Sequence, residues 1–184
     1  MSKKLWYTWS DIEIMCQSLV NQMYNDNWRP ELIVGITRGG NIPATIISNM
    51  LDINCDTLQV NFRDNGLLTE SNCWMAEEAY GYGSLPLEER YGSIPENRKK
   101  ILIVDDINDT GKTFQWIMKD WESSCSPSVE DWREIWGENV RFAVLTENLS
   151  SNFEMVKYHA SEVNKAENDM WLVYPWENIG QYDK

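Results

Sequence analysis

Thirteen residues, Ile101 to Thr113, constrain the chain more than any other stretch. They read Ile-Leu-Ile-Val, then Asp-Asp, then Ile-Asn-Asp, then Thr-Gly-Lys-Thr. The unbroken apolar run Ile101 to Val104 predicts a strand over Lys100 to Val104, buried on both faces. Asp105 to Gly111 reads as a loop and Lys112 to Trp121 as a helix. The same order occurs upstream. Glu31 to Ile36 predicts a buried strand, Thr37-Arg38-Gly39-Gly40 a turn, and Ile42 to Leu51 a helix that tolerates Pro43 in its first turn. Strands that are continuous apolar runs and alternate with helices imply an α/β fold with a mostly parallel sheet covered on both sides. Ligands in such folds bind beyond the carboxyl ends of the strands, where both turns fall.

The other elements fit this frame. Ser10 to Tyr24 predicts a helix with Ser10 and Glu13 at capping-box spacing and Ile12, Met15, Leu19 and Met23 on one face. Thr57 to Phe62, Arg141 to Leu145 and Met170 to Val173 predict further strands. Ser126-Pro127-Ser128 opens a short helix ending at Gly137, read as peripheral and at a subunit contact through Trp132 and Trp136. Arg63 to Arg98 holds four glycines and two prolines without a sustained period, and so long a loop inside a domain implies a function.

Composition narrows the field. With 184 residues the chain has room for one domain, and its 42% hydrophobic content supports a packed core. A net charge of -13 makes a general nucleic-acid binder a poor reading, because phosphates would be repelled. Cys16, Cys55, Cys73 and Cys125 form no C-x-x-C pair and there is one histidine, His159, which argues against a structural zinc site. No apolar run has the length of a membrane span, and Met1 to Trp6 lacks the apolar core of a signal peptide. A reduced, cytoplasmic protein is expected.

The chemistry of residues 105–113 follows from their placement. Backbone amides at a helix start bind a phosphate dianion, and the Thr110 and Thr113 hydroxyls add donors. Gly111 permits close approach of the backbone. Asp105 and Asp106 would repel phosphate, so they suit ribose hydroxyls or a magnesium ion. The loop therefore suits a ligand with one monophosphate, a sugar diol and a metal-chelating group. A P-loop reading of Gly111-Lys112-Thr113 fails, because its earlier glycine position is held by Asp106.

Ile101 to Thr113 resembles the signature of the type I phosphoribosyltransferases. Among these, the chain is most similar to the xanthine-guanine group of 6-oxopurine enzymes. Trp9 to Met23 resembles that group's first helix, Val34 to Gly40 its pyrophosphate loop, and Trp171-Leu172-Val173-Tyr174-Pro175-Trp176-Glu177 its hood segment. The resemblance implies one domain over residues 1–184, with a lid at about 63–98 and a C-terminal hood at about 148–184. It implies magnesium-dependent transfer of the phosphoribosyl group from phosphoribosyl pyrophosphate (PRPP) to guanine, xanthine or hypoxanthine. Asp105 and Asp106 would hold ribose and Mg2+. Asp109 would be the general acid/base and part of the PRPP site. Thr110, Gly111, Lys112 and Thr113 would cradle the 5-phosphate, and Arg38 and Gly39 would face pyrophosphate. Trp171 would stack on the base and the Leu172 backbone read its edge. A homo-oligomer, dimer or tetramer, is implied as well.

One departure bears on specificity. The family's lysine after the fourth strand, which donates to the 6-oxo group, is missing, and Asn148 or Glu147 stands there. Another nucleobase is therefore an alternative, as is a non-catalytic PRPP-binding regulator. The acidic charge and the retained Asp109 favour the enzyme.

Overall fold

A computed structural model describes residues 3–60, 73–83, 86, 97–125 and 129–177. The elements run β1 (Lys3–Trp6), α1 (Trp9–Asn25), β2 (Leu32–Thr37), α2 (Asn41–Leu51), β3 (Cys55–Gln59), α3 (Cys73–Tyr80), β4 (Ile101–Asn108), α4 (Lys112–Cys125), α5 (Val129–Ile135), β5 (Val140–Asn148), β6 (Val156–Val163) and β7 (Met170–Val173). Five strands form one parallel sheet in the order β3-β2-β4-β5-β6, and β1 pairs with β7 in a second, two-stranded sheet. The expected α/β class with a mostly parallel sheet is what the chain adopts.

Both faces of the large sheet are covered, as the apolar runs require. Ile101 and Ile103 of β4 pack with Phe114, Ile117 and Trp121 of α4. Leu102 and Val104, pointing the other way, pack with residues of α1 and α2 such as Leu19 and Ile47. The four residues expected on the inner face of α1, Ile12, Met15, Leu19 and Met23, are all buried.

Several expectations need correction. Helix α1 is capped by Thr8 and Asp11, not Ser10 and Glu13. Thr8 is extended, and its hydroxyl accepts from Asp11 N–H at 3.2 Å while Asp11 accepts from Thr8 N–H at 2.7 Å. Strand β3 begins at Cys55, two residues before Thr57, and residues 61–62 of the expected strand lie outside the described residues. The stretch 63–98 is not wholly irregular. Helix α3 buries Met75, Ala76, Ala79 and Tyr80 in the core, while most of the remaining lid residues lie outside the described ones. Trp132 and Trp136 are not surface residues. Both are buried, stacked on each other at 5.1 Å, with Trp121 5.8 Å from Trp136. Strand β7 is not a fifth strand of the large sheet. That place is taken by β6, and β7 is tied to β1 with Leu172 opposite Leu5.

The order of the large sheet positions the site. From β2 the chain moves through α2 to β3 on one side, and from β4 through α4 to β5 on the other. The direction of winding therefore reverses between β2 and β4, which opens a crevice at their carboxyl ends.

Candidate active site

Pairing between β2 and β4 ends at Gly35 opposite Val104, whereas β4 stays paired with β5 as far as Asn108. Asp105 and Asp106 are thus the last part of a strand with one neighbour removed, not members of a free loop. They line an open cleft with Asp109, Thr110, Gly111 and Thr113. Asp106 N–H, lacking a strand partner on the open side, donates to Asp105 Oδ1 at 2.9 Å.

The acids are crowded. Burial, then the Asp106 charge, pushes the Asp105 carboxyl well above its usual range. Burial, with a further contribution from Glu177, raises Asp106 to about 6. The turn after β2 closes on them. A Cβ on Gly39 would collide with the Asp106 carboxylate, and one on Gly40 would collide with the Val104 carbonyl and lie 2.8 Å from Asp105 Cα. Glycines are needed here for close approach. The Thr37–Arg38 peptide in this turn is cis, and Arg38 is exposed at its rim.

At the start of α4 the first helical bond runs from Gln115 N–H to the Gly111 carbonyl at 3.0 Å. The N–H groups of Lys112, Thr113 and Phe114 precede it, Lys112 N–H lying 3.5 Å from Thr110 Oγ1, an arrangement able to receive an anion. Gly111 has φ +81°, and a Cβ there would lie 2.6 Å from Phe153 Cβ. Only glycine meets both conditions. Lys112 and Thr110 are exposed, and Thr113 is half-buried.

Asp109 is held from two sides. Asn148 Nδ2 donates to its carbonyl at 2.9 Å and to its Oδ1 at 3.3 Å. Lys165 Nζ forms an ion pair with Oδ1 at 3.0 Å. Asn148 Oδ1 accepts from Lys165 N–H at 3.0 Å and from the Ser150 hydroxyl at 2.8 Å. Asn148 is 4% exposed, so its amide is committed to Asp109 and to the Lys165 loop. Glu147 accepts from Asn108 Nδ2 at 2.8 Å.

Sequence reasoning missed two residues. Lys165 brings the only cation recorded against Asp109 among the described residues, from beyond β6, and no local pattern marks it. Asn108 is buried, donates to Glu147 and to the Phe153 carbonyl at 2.9 Å, and accepts from Ser151 at 2.9 Å. It fastens the loop of residues 109–113 to the chain after β5. A polar residue closing an apolar strand was its one visible signal.

Trp171 and Leu172 stand apart from these groups on β7, Trp171 at 59% exposure and Leu172 buried. The recorded link from their strand to the acids runs through Tyr174, whose hydroxyl donates to the Asp106 carbonyl at 3.0 Å.

A switch-point crevice with a diacid strand end and an open helix start defines a phosphate- and sugar-binding α/β protein. The phosphoribosyl transferase domain model matches residues 7–175, and the chain belongs to that family. Xanthine-guanine phosphoribosyltransferase of Cereibacter sphaeroides (strain ATCC 17025 / ATH 2.4.3) is 31% identical over 86% of this chain and 74% of its own length. Xanthine phosphoribosyltransferase 1 of Saccharomyces cerevisiae is 24% identical over 96% and 90%. Among solved structures, the xanthine-guanine-hypoxanthine phosphoribosyltransferase of Helicobacter pylori superposes with a TM-score of 0.64 at 18% identity, covering 97% of each chain. The fold is therefore that of the type I phosphoribosyltransferases. No helix among the described residues is long and apolar enough to cross a membrane.

Proposed function

We propose that this protein transfers the 5-phosphoribosyl group from PRPP to a 6-oxopurine base, releasing pyrophosphate and forming a nucleoside monophosphate. The observation that carries this is Asp109, held by Asn148 and Lys165 at the mouth of a cleft that also offers a diacid and a helix start. The first amides of α4, with Thr110 and Thr113, receive the 5-phosphate, and Asp105 and Asp106 receive the ribose hydroxyls. Arg38 and the Gly39 backbone face the pyrophosphate, which an arginine can pair with bidentately.

Asp109 Oδ1 is an acceptor and Lys165 Nζ, 3.0 Å away, is a donor. Side by side they complement a ring N–H next to a carbonyl oxygen, the arrangement on the N7 and O6 edge of a 6-oxopurine. A 6-amino group would set donor against donor, so adenine is disfavoured. Asp109 takes or returns the proton on the ring nitrogen, and Trp171 with the Leu172 backbone takes the face and far edge of the base.

Magnesium fits the acids. Two half-buried carboxylates that hold their protons above the usual range meet no cation recorded among the described residues, and they are hard oxygen donors. Asp105 and Asp106 would hold the ion, which when bound supplies charge neutralisation for the departing pyrophosphate. The proposal includes a homo-oligomer, for which the exposed Trp6 and Trp9 offer apolar surface, and cytoplasmic action, with which four free thiols agree.

The test is turnover of PRPP and magnesium with guanine, hypoxanthine, xanthine, adenine, uracil and orotate, beside Asp109→Ala. Turnover of a 6-oxopurine that falls at least 100-fold in the variant is expected, the range for losing a positioned acid/base. Turnover with adenine or a pyrimidine alone would overturn the assignment.

A further inference from the structure

Tyr174 connects the two sheets. It is 2% exposed, with its ring between Tyr7 at 5.2 Å and Trp176 at 4.9 Å, both stacked. Its hydroxyl leaves this stack and enters the large sheet, 3.0 Å from the Asp106 carbonyl oxygen and 3.0 Å from Thr146 Oγ1. A carbonyl cannot donate, so the phenol proton is fixed on Asp106 and Thr146 must supply the proton of the second bond. Ser161 Oγ at 3.0 Å and Tyr7 Oη at 3.3 Å from Thr146 Oγ1 are then both placed to donate to it. The chain of hydroxyls has one direction, from Thr146 through Tyr174 to Asp106.

The end of that chain matters because β2 has left the sheet. The N–H of Asp106 is met by Asp105 Oδ1 and its carbonyl by Tyr174, so side chains, not a neighbouring strand, set this peptide. Resting on the phosphoribosyl-transfer reading, we infer that Tyr174 is a positioning residue for the donor site. Its hydroxyl fixes the Asp106 peptide, and with it the direction of the two carboxylates, from the residue directly after the strand that carries Trp171 and Leu172. The base-side segment therefore takes part in building the donor side.

Tyr174→Phe keeps the stacked ring and removes only the hydroxyl. PRPP binding in the presence of magnesium is measured by calorimetry first, then both KM values and thermal stability. Loss of one hydrogen bond to a buried carbonyl should weaken PRPP affinity and raise its KM about 3- to 10-fold, with the base KM changed less than about twofold. Thr146→Val, which leaves Tyr174 in place, should shift PRPP affinity in the same direction by less. A variant that is less stable but has unchanged PRPP affinity and KM would reduce Tyr174 to a packing residue and overturn the inference, as would equal shifts in both KM values. A wild type that binds PRPP but transfers to no base would sink the proposed reaction alone, because the affinity comparison still decides for or against Tyr174. A wild type that binds no PRPP would overturn both.

Discussion

Replacing Asp106 with asparagine should make the metal-free protein more stable at pH 8 while removing its transferase activity. The folded protein holds the Asp106 carboxyl at about 6 against a usual 3.8, chiefly through burial. An acid whose folded value lies above its unfolded value favours folding when protonated. That contribution is fully present below about 3.8 and is lost as the pH rises through about 6. A shift of about 2 units corresponds to ~3 kcal/mol at most. Solvent reaches the half-buried pair and screens it, so a gain of ~1–2 kcal/mol at pH 8 is expected. For a chain of this size that is about 2–8 °C in Tm. The amide keeps the shape of the side chain beside Gly39 and removes one of two neighbouring charges, which also relieves Asp105. The assay is thermal and urea denaturation of both proteins in EDTA between pH 4 and 8. The gain should shrink through pH 6 and nearly vanish by pH 4. Magnesium with PRPP should stabilise the wild type and not the variant. An Asp106→Asn protein no more stable than wild type at pH 8, or one equally favoured at pH 4, would refute the view that the two acids oppose each other and the fold.

Gly39→Ala should cut kcat/KM for PRPP at least tenfold, about 1.4 kcal/mol, because its methyl meets the Asp106 carboxylate; steady-state kinetics check it. Lys165→Met should lower kcat/KM for the preferred 6-oxopurine about 10- to 100-fold, as expected for losing a charged hydrogen bond, and narrow its advantage over adenine in the same base panel. Asn108→Ala should cost about 2–3 kcal/mol of stability, read by urea denaturation, because Ser151, Glu147 and the Phe153 carbonyl all lose a buried partner.

The legibility of this chain followed the range of the interactions. Residues 101–113 were readable because strand, acids, turn and helix are consecutive, and Gly111 combines a positive φ with contact against Phe153. Strand β6 was not readable. It is an edge strand whose one fully buried side chain is Tyr158, with Lys157, His159 and Glu162 interspersed, so neither an apolar run nor a clean alternation exists. Strand β1 is exposed throughout and is a strand only because β7 pairs with it. Helix α3 buries two alanines and little else besides Met75 and Tyr80, too weak a stripe to stand out among glycine-rich neighbours. Trp132 and Trp136 read as peripheral in the sequence, because four-residue spacing on a short, partly polar segment does not say whether the aromatic face meets the core or another subunit; their stacking on each other, and that of Trp136 on Trp121, puts them inside. Lys165 depended on the turn after β6 folding back to β5, which no local pattern encodes.

The same distinction bears on the site's logic. A protein selected for stability alone would not place two carboxylates beside each other, half-buried, at a strand end whose neighbour has departed. Removing β2 from the pairing at Val104 leaves Asp106 with a free N–H and carbonyl as well as a strained charge. The chain answers the polar groups with side chains, Asp105 on one and Tyr174 on the other, and no cation among the described residues is recorded against the charge. On the proposed reading, a pair of acids that meets no cation among the described residues, beside an open helix start, gains most stability when a cation and an anion arrive together. Neither alone suits it, since a lone phosphate meets two acids and a lone metal leaves the amides of α4 unfilled. A metal-chelating phosphate ester satisfies both, and PRPP is such a ligand. The arrangement of opposing demands, more than any single residue, is what supports the proposed donor site.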